Sequence, residues 1–280
     1  MNFIGLTNAI DDAVAGGQDV CKATVRRDLT YQRLSAAAYQ NEDVASQDAR
    51  AVGFRLVSHI HDVATGADAM IFVNALEVVI AFRGTQRNYA DILTDLKFSK
   101  RDYWTPYSGA PVQIHRGFLA QWLSIQERVF QQATAAATDG RRIVATGHSL
   151  GGALAVLATI SWRLVTACIT FGAPRVGTSQ IREAIELCAA ECRRYVYGAD
   201  IVPIVPLLAL GFRHGIRPTY LTRGPRAIAA CPLWRELLGR TRSLLTIKWS
   251  KSWNWCPVPT RVFTDHRLGN YGAAMRGAAQ

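Results

Sequence analysis

Apolar and polar positions recur with two different periods along this chain, and the period changes partway. Up to residue 83 the apolar runs are short and close together. Those at 53–60, 69–74 and 77–83 read as strands near enough to pair as hairpins, with one helical stretch, "DLTYQRLSAAAYQNED" at 28–43, ahead of them. From 114 onward helix-length and strand-length segments take turns. Residues 114–137 read as a helix, 143–147 as a strand, 150 onward as a helix, 167–172 as a strand, 178–190 as a helix and 194–198 as a strand. This alternation predicts an α/β fold whose sheet has a parallel part, because parallel strands need a crossover between them. No internal repeat or long linker interrupts the 280 residues, so a single domain over 1–280 is expected.

Chemistry concentrates in "ATGHSLGGALAVLA", residues 145–158, where a β-branched approach gives way to good helix formers. Ser149 therefore sits on a strand-to-helix turn. Gly147 and Gly151 lack a Cβ and let the chain fold sharply around it, at positive or crowded dihedrals. Gly-x-Ser-x-Gly in that context is a nucleophile elbow, the bland alternative being a glycine-rich turn. Its serine lies at the carboxyl end of a strand, where open α/β sheets place their ligands.

A serine hydroxyl is a weak nucleophile at neutral pH and needs a base, which in turn needs an orienting carboxylate. Chains with such an elbow place them in the order serine, acid, histidine. After Ser149 only His214 and His266 remain, with Glu183, Glu186, Glu191, Asp200, Glu236 and Asp265 as acids before His266. Glu183, Glu186 and Glu191 fall on the helical segment "SQIREAIELCAAEC", Glu236 in a basic irregular stretch, and Asp265 too near its neighbour's ring to bridge to it. Asp200, directly after "RRYVYGA", is retained. His266 in "DHRLGNY" has the chain length to return over the serine and is preferred to His214, which is assigned a structural role. His148, His115, His59 and His61 are given packing or surface roles. The donors for a transition-state oxyanion are the backbone N–H of Leu150 and the amide of Thr85, at the end of "VVIAFRGT".

Six blocks in order, "VVIAFRGT", "IHRGF", "GHSLGGALA", "TFGAPRVG", "ADIVPIVP" and "DHRLGNY", spread over residues 78–271, resemble the fungal-type class 3 lipase family. The resemblance implies an α/β-hydrolase fold, with a mostly parallel central sheet, antiparallel N-terminal hairpins and helices on both faces. It also implies carboxyl-ester hydrolysis with Ser149, Asp200 and His266 as triad, Thr85 and Leu150 as oxyanion hole, and no metal or organic cofactor. The family's lid maps onto "QRNYADILT", 86–94, with Tyr89, Ile92 and Leu93 as candidates on a stretch more polar than an interfacial lid requires. The family's H-x-x-Y spacing is stretched here to His266 and Tyr271.

Charge adds a partner to consider. The net charge is +11, and the segment 223–256 interleaves Arg240, Arg242, Lys248 and Lys251 with Trp234, Trp249, Trp253 and Trp255. Such a stretch suits an anionic membrane surface, the alternative being a solvated loop; no nucleic-acid module is present. Three functions follow: a serine hydrolase of lipid esters, a lipid-surface binding protein with little turnover, and a membrane-attacking phospholipase toxin. The start "MNFIGLTNAIDDAVAGG" lacks a basic region and carries Asp11 and Asp12, which predicts no secretory signal and hence a cytoplasmic protein or one exported by a non-classical route. The apolar run "IVPIVPLLALGF", 201–212, is too short to span a bilayer. None of the six cysteines forms a C-x-x-C pair. Only Cys231 with Cys256 would make a sensible disulfide, and reduced thiols are expected.

Overall fold

The computed structural model describes residues 20–85, 99–107, 109–189, 191–222, 226–228 and 264–280. The lid candidates Tyr89, Ile92 and Leu93, the pair Cys231 and Cys256, and the candidate membrane contacts Trp234, Arg240, Arg242, Lys248, Trp249, Lys251, Trp253 and Trp255 lie outside the described residues. The chain divides into two compact units interleaved in sequence. The larger comprises Thr30–Arg194 with Val202–Ile216, and the smaller draws on Met1–Leu29, Tyr195–Ile201 and Arg217–Gln280.

In the larger unit, strands β1 (Arg55–His61), β2 (Asp68–Val73) and β3 (Glu77–Phe82) form an antiparallel meander. Next come the hairpin strands β4 (Lys100–Tyr103) and β5 (Val112–His115), then β6 (Arg142–His148) and β7 (Val165–Phe171). The sheet order is β1-β2-β3-β6-β7, with β3, β6 and β7 mutually parallel. Buried on both faces, those parallel strands read as continuous apolar runs such as "EVVIAF" rather than as alternating ones.

Four helices belong wholly or partly to this unit: α1 (Lys22–Ala37), α2 (Glu42–Arg50), α3 (Arg116–Ala136) and α4 (Leu150–Ser161). A fifth, α5 (Ile181–Cys188), follows β7. The helix expected at 28–43 is in fact two. Asn41 interrupts it, its side-chain oxygen accepting from Val44 N at 3.0 Å to cap α2, with Glu42 and Asp43 favourably placed in the first turn.

Helix α3 buries the stripe Phe118, Trp122, Ile125, Val129 and Ala133, and Trp122 Nε1 donates to Ser161 Oγ of α4 at 3.0 Å. Helix α4 is buried nearly all round, as "LGGALAVLATIS" requires of a helix with no polar face. Both pack on the sheet face that carries Ile80, Phe82, Ile143 and Ala145. Thr146, one residue further along β6, points to the opposite face and meets Ser35 of α1 at 3.0 Å. Helices thus cover both faces. At the amino ends of β3 and β6, Tyr31 donates to Glu77 and accepts from Arg142 Nη2, both at 2.8 Å. Burial, reinforced by the Glu77 carboxylate, pushes the Tyr31 phenol above its ordinary range and keeps it a donor.

Strand β8 (Glu191–Tyr197) carries the chain into the smaller unit. There β9 (Pro218–Leu221) pairs antiparallel with β10 (Ala227–Ile228), and the C-terminal helix α6 (Leu268–Ala279) packs on β9. Among the described residues no helix is long and apolar enough to cross a membrane.

Cys168, Cys188 and Cys192 are free thiols packed in or against the core. Burial pushes the Cys168 thiol up to about 11 and raises the other two as well, so none is a ready thiolate near neutral pH. Iodoacetamide applied to the folded protein at neutral pH is expected to label exposed Cys21 and spare these three, with all four labelled after denaturation. Peptide mass mapping reads the result, and labelling of Cys168 in the native protein would contradict its burial.

Candidate active site

Strand β6 ends at His148, and Ser149 turns the chain into α4 with φ 57° and ψ −129°; among the described residues it is the one non-glycine at positive φ. A conformation of this kind costs about 1–3 kcal/mol and persists only where neighbours enforce it. The enforcement is visible. Ser149 N donates to Phe171 O at 3.0 Å, and Gly152 N donates to Ser149 O at 2.9 Å. Gly147 and Gly151 are required by crowding and not by their dihedrals. A Cβ on Gly147 would overlap the Gly151 carbonyl, and one on Gly151 would overlap the Phe82 carbonyl at the end of β3. The Ser149 side chain makes no capping bond to α4, unlike most serines at a helix start. The residue is only 2% exposed, so the elbow is a covered one.

Part of that cover is the Arg83-Gly84-Thr85 turn leaving β3. A Cβ on Gly84 would lie 3.2 Å from Ser149 Cβ and 2.7 Å from His148 O, so only glycine brings this turn so near the elbow. Of the predicted oxyanion donors, Leu150 is the first residue of α4 and Thr85 follows Gly84 on the adjoining turn. The turn is anchored by Asp68, the first residue of β2. Its backbone carbonyl accepts from Arg83 N at 3.0 Å, and its Oδ2 accepts from Arg83 Nη2 at 2.9 Å. His61 Nδ1 lies 3.0 Å from the same Oδ2, and His59 Nε2 lies 3.1 Å from Oδ1. A carboxylate only 1% exposed needs such partners. Among the described residues no group of His, Cys, Asp or Glu could hold a metal ion.

The smaller unit holds the other candidates. Asp200 follows β8 through Gly198, whose φ of 52° makes the turn. Asp200 Oδ2 accepts from His266 Nδ1 at 2.8 Å and from the Tyr271 hydroxyl at 2.6 Å, and all three side chains are fully buried. The stretched spacing to Tyr271 is absorbed by the turn before α6, whose first turn presents the phenol to the carboxylate. Asp265, set aside on sequence distance, has its own task. Its Oδ2 accepts from Ala199 N at 2.8 Å, tying the backbone before Asp200 to the residue before His266.

The remaining histidines serve structure. His214 Nε2 donates to Pro203 O at 2.7 Å, buried His148 shares a 3.0 Å hydrogen bond with Tyr39, and His115 caps α3. The Asp68 cluster went unread in the sequence. Its signal was an acid opening the apolar run "DAMIFV" after two histidines spaced to share one face of the preceding strand β1.

Gly151→Ala is expected to destabilise the protein by roughly 1–3 kcal/mol, as overpacking does. Urea unfolding measures it, and an unchanged midpoint would contradict the close approach to Phe82. Asp68→Ala, which strands the Arg83 guanidinium, should cost about 3–5 kcal/mol in the same assay.

Residues 79–210 match the family model "Lipase (class 3)". The lipase of Rhizopus oryzae is 32% identical over 166 residues, 55% of this chain and 41% of its own length. The secreted mono- and diacylglycerol lipase 1 of Fusarium solani is 30% identical over 154 residues, 53% of this chain and 45% of its own. The chain thus spans about half the length of the curated relatives it matches. The Rhizomucor miehei lipase propeptide complex superposes with a TM-score of 0.68 at 22% identity, over 76% of this chain and 73% of that one, which gives the α/β-hydrolase fold. The name of the Fusarium protein corrects one expectation: similarity to a lipase named as secreted goes against the cytoplasmic assignment, which rested on the first residues of the sequence. Elbow, sheet order and matched segment agree: over residues 79–210 the chain is similar to class 3 lipases, and its fold is the α/β-hydrolase fold.

Proposed function

We propose that this protein is an exported serine hydrolase of lipid carboxyl esters, with acylglycerols as its substrate class. The observation that carries this proposal is the strained Ser149, held at positive φ between two glycines that no larger residue could replace, with its hydroxyl not spent on capping α4. The names of the Rhizopus and Fusarium relatives support the substrate class, and the latter supports export.

The bonding supports the proposed roles. His266 Nδ1–H donates to Asp200, so the neutral ring carries its proton on Nδ1 and its lone pair on Nε2. Asp200 holds that tautomer and stabilises the imidazolium formed later, while Tyr271 orients the carboxylate. Ser149 Oγ attacks the ester carbonyl as His266 Nε2 takes its proton. The tetrahedral oxyanion is met by the N–H groups of Leu150 and Thr85. Collapse expels the alcohol, which leaves with the proton from His266 and yields an acyl-enzyme. Water, deprotonated by the same histidine, then releases the fatty acid and restores Ser149.

Hydrolysis of a p-nitrophenyl ester and of emulsified acylglycerol tests these roles. Ser149→Ala and His266→Ala should each lower kcat at least about 1,000-fold, as loss of a triad member does. His214→Ala should leave kcat within a few-fold while lowering the melting temperature, because it loses a partly buried bond to Pro203. Turnover by Ser149→Ala near wild type, or loss of turnover in His214→Ala with His266→Ala unaffected, would reassign the machinery.

A further inference from the structure

The larger unit holds a second feature that its own packing does not explain. Within four residues, Leu207, Leu208 and Leu210 are 52%, 38% and 38% exposed. They belong to the run "IVPIVPLLALGF", in which Val202, Val205 and Phe212 are buried, so the run folds with its leucines and Ala209 turned outward. Single exposed leucines are ordinary, but a clustered and rigidly held set is not.

This set is held. A 3₁₀ turn at Leu208–Leu210 closes on Gly211 in the left-handed region at φ 82°. Arg213 Nη1 donates to the carbonyls of Leu208 and Phe212 at 2.8 and 2.9 Å, and Arg213 N donates to Gly177 O at 2.8 Å. Arg175 Nη1 donates to Pro206 O at 2.8 Å and also to Ile204 O. The ordering of the leucines is therefore completed on folding and is not deferred to binding.

Cations stand beside the leucines. Lys100 and Arg213 are exposed, Lys100 Nζ lying 5.2 Å from the centroid of buried Phe212. The loop supplying Arg175 and Gly177 leaves the carboxyl end of β7, and Ser149 leaves that of the parallel neighbour β6. The leucine turn is thus tied to the edge of the sheet from which the elbow opens.

We propose that the Leu207–Leu210 turn docks the protein on an anionic lipid bilayer. The leucines enter the acyl boundary, and Lys100 and Arg213 meet the phosphate-bearing headgroups. An apolar tip flanked by cations matches the layering of a bilayer surface, and the net charge of +11 draws the chain to anionic lipid from a distance. The docking proposal rests on the lipid-ester assignment for its purpose, but the binding can be measured without turnover.

The test uses the full chain carrying Ser149→Ala, with vesicles of pure phosphatidylcholine or of phosphatidylcholine doped with phosphatidylglycerol, read by sedimentation. Leu207→Ser/Leu208→Ser/Leu210→Ser should weaken partitioning on the order of 100-fold. Lys100→Gln should lose several-fold in binding to doped vesicles and little to neutral ones. Thermal melting reports folding, and if the triple variant does not fold, Leu207→Ser alone should still weaken binding several-fold. Wild-type partitioning by the leucine variants would overturn the proposal. So would loss of binding only in Arg240→Gln/Arg242→Gln/Lys248→Gln/Lys251→Gln, or a dimer in solution that the leucine substitutions dissociate. Failure of the Ser149-bearing protein to hydrolyse any ester would instead overturn the lipase assignment and leave the vesicle result standing.

Discussion

Everything at the elbow depends on one close approach, that of Gly151 to the Phe82 carbonyl at the end of β3. It sets the start of α4 against the sheet, and with Gly147 pressed on the Gly151 carbonyl the only residue left to make the turn is Ser149. The strain at Ser149 follows from this packing and needs no other source. Because β3 and β6 are parallel neighbours, the same contact sets the Gly84 turn beside the serine. The strained Ser149 and the neighbouring Gly84 turn are consequently products of one packing event.

The candidates in the smaller unit rely on hydrogen bonding where the elbow relies on sterics. Asp200 Oδ2 accepts two strong bonds, from His266 and Tyr271, in full burial, and Asp265 secures the backbone on either side. A buried carboxylate is stable only when its lone pairs are used, so the arrangement that satisfies Asp200 also fixes the imidazole. Asp68 repeats this logic on the meander, where an acid surrounded by Arg83, His59 and His61 pins the turn that leads to Thr85.

The alternation of apolar runs revealed the α/β order because central parallel strands cannot carry polar residues on either face. Element ends were less legible: α1 starts at Lys22, well before 28, and Asn41 ends the stretch by capping the next helix. The motif around Ser149 showed the strand-to-helix turn directly, although the burial of Ser149 was not visible, since the covering Gly84 turn is distant in sequence. The bond of Tyr271 to Asp200 was obscured by its spacing, and that of Asp265 to Ala199 by the assumption that an acid beside His266 must serve that ring. Asp68 was not legible because its partners sit on β1 and on the turn beyond β3, and the leucine turn because length alone does not show which leucines of an apolar run face outward.

Covalent labelling tests the central claim most directly. A fluorophosphonate that mimics an ester's tetrahedral intermediate should attach to one residue, Ser149, as mapped by peptide mass spectrometry, at a rate that falls at least about 100-fold in His266→Ala. An adduct on any other residue, or equal labelling rates with and without His266, would contradict the account.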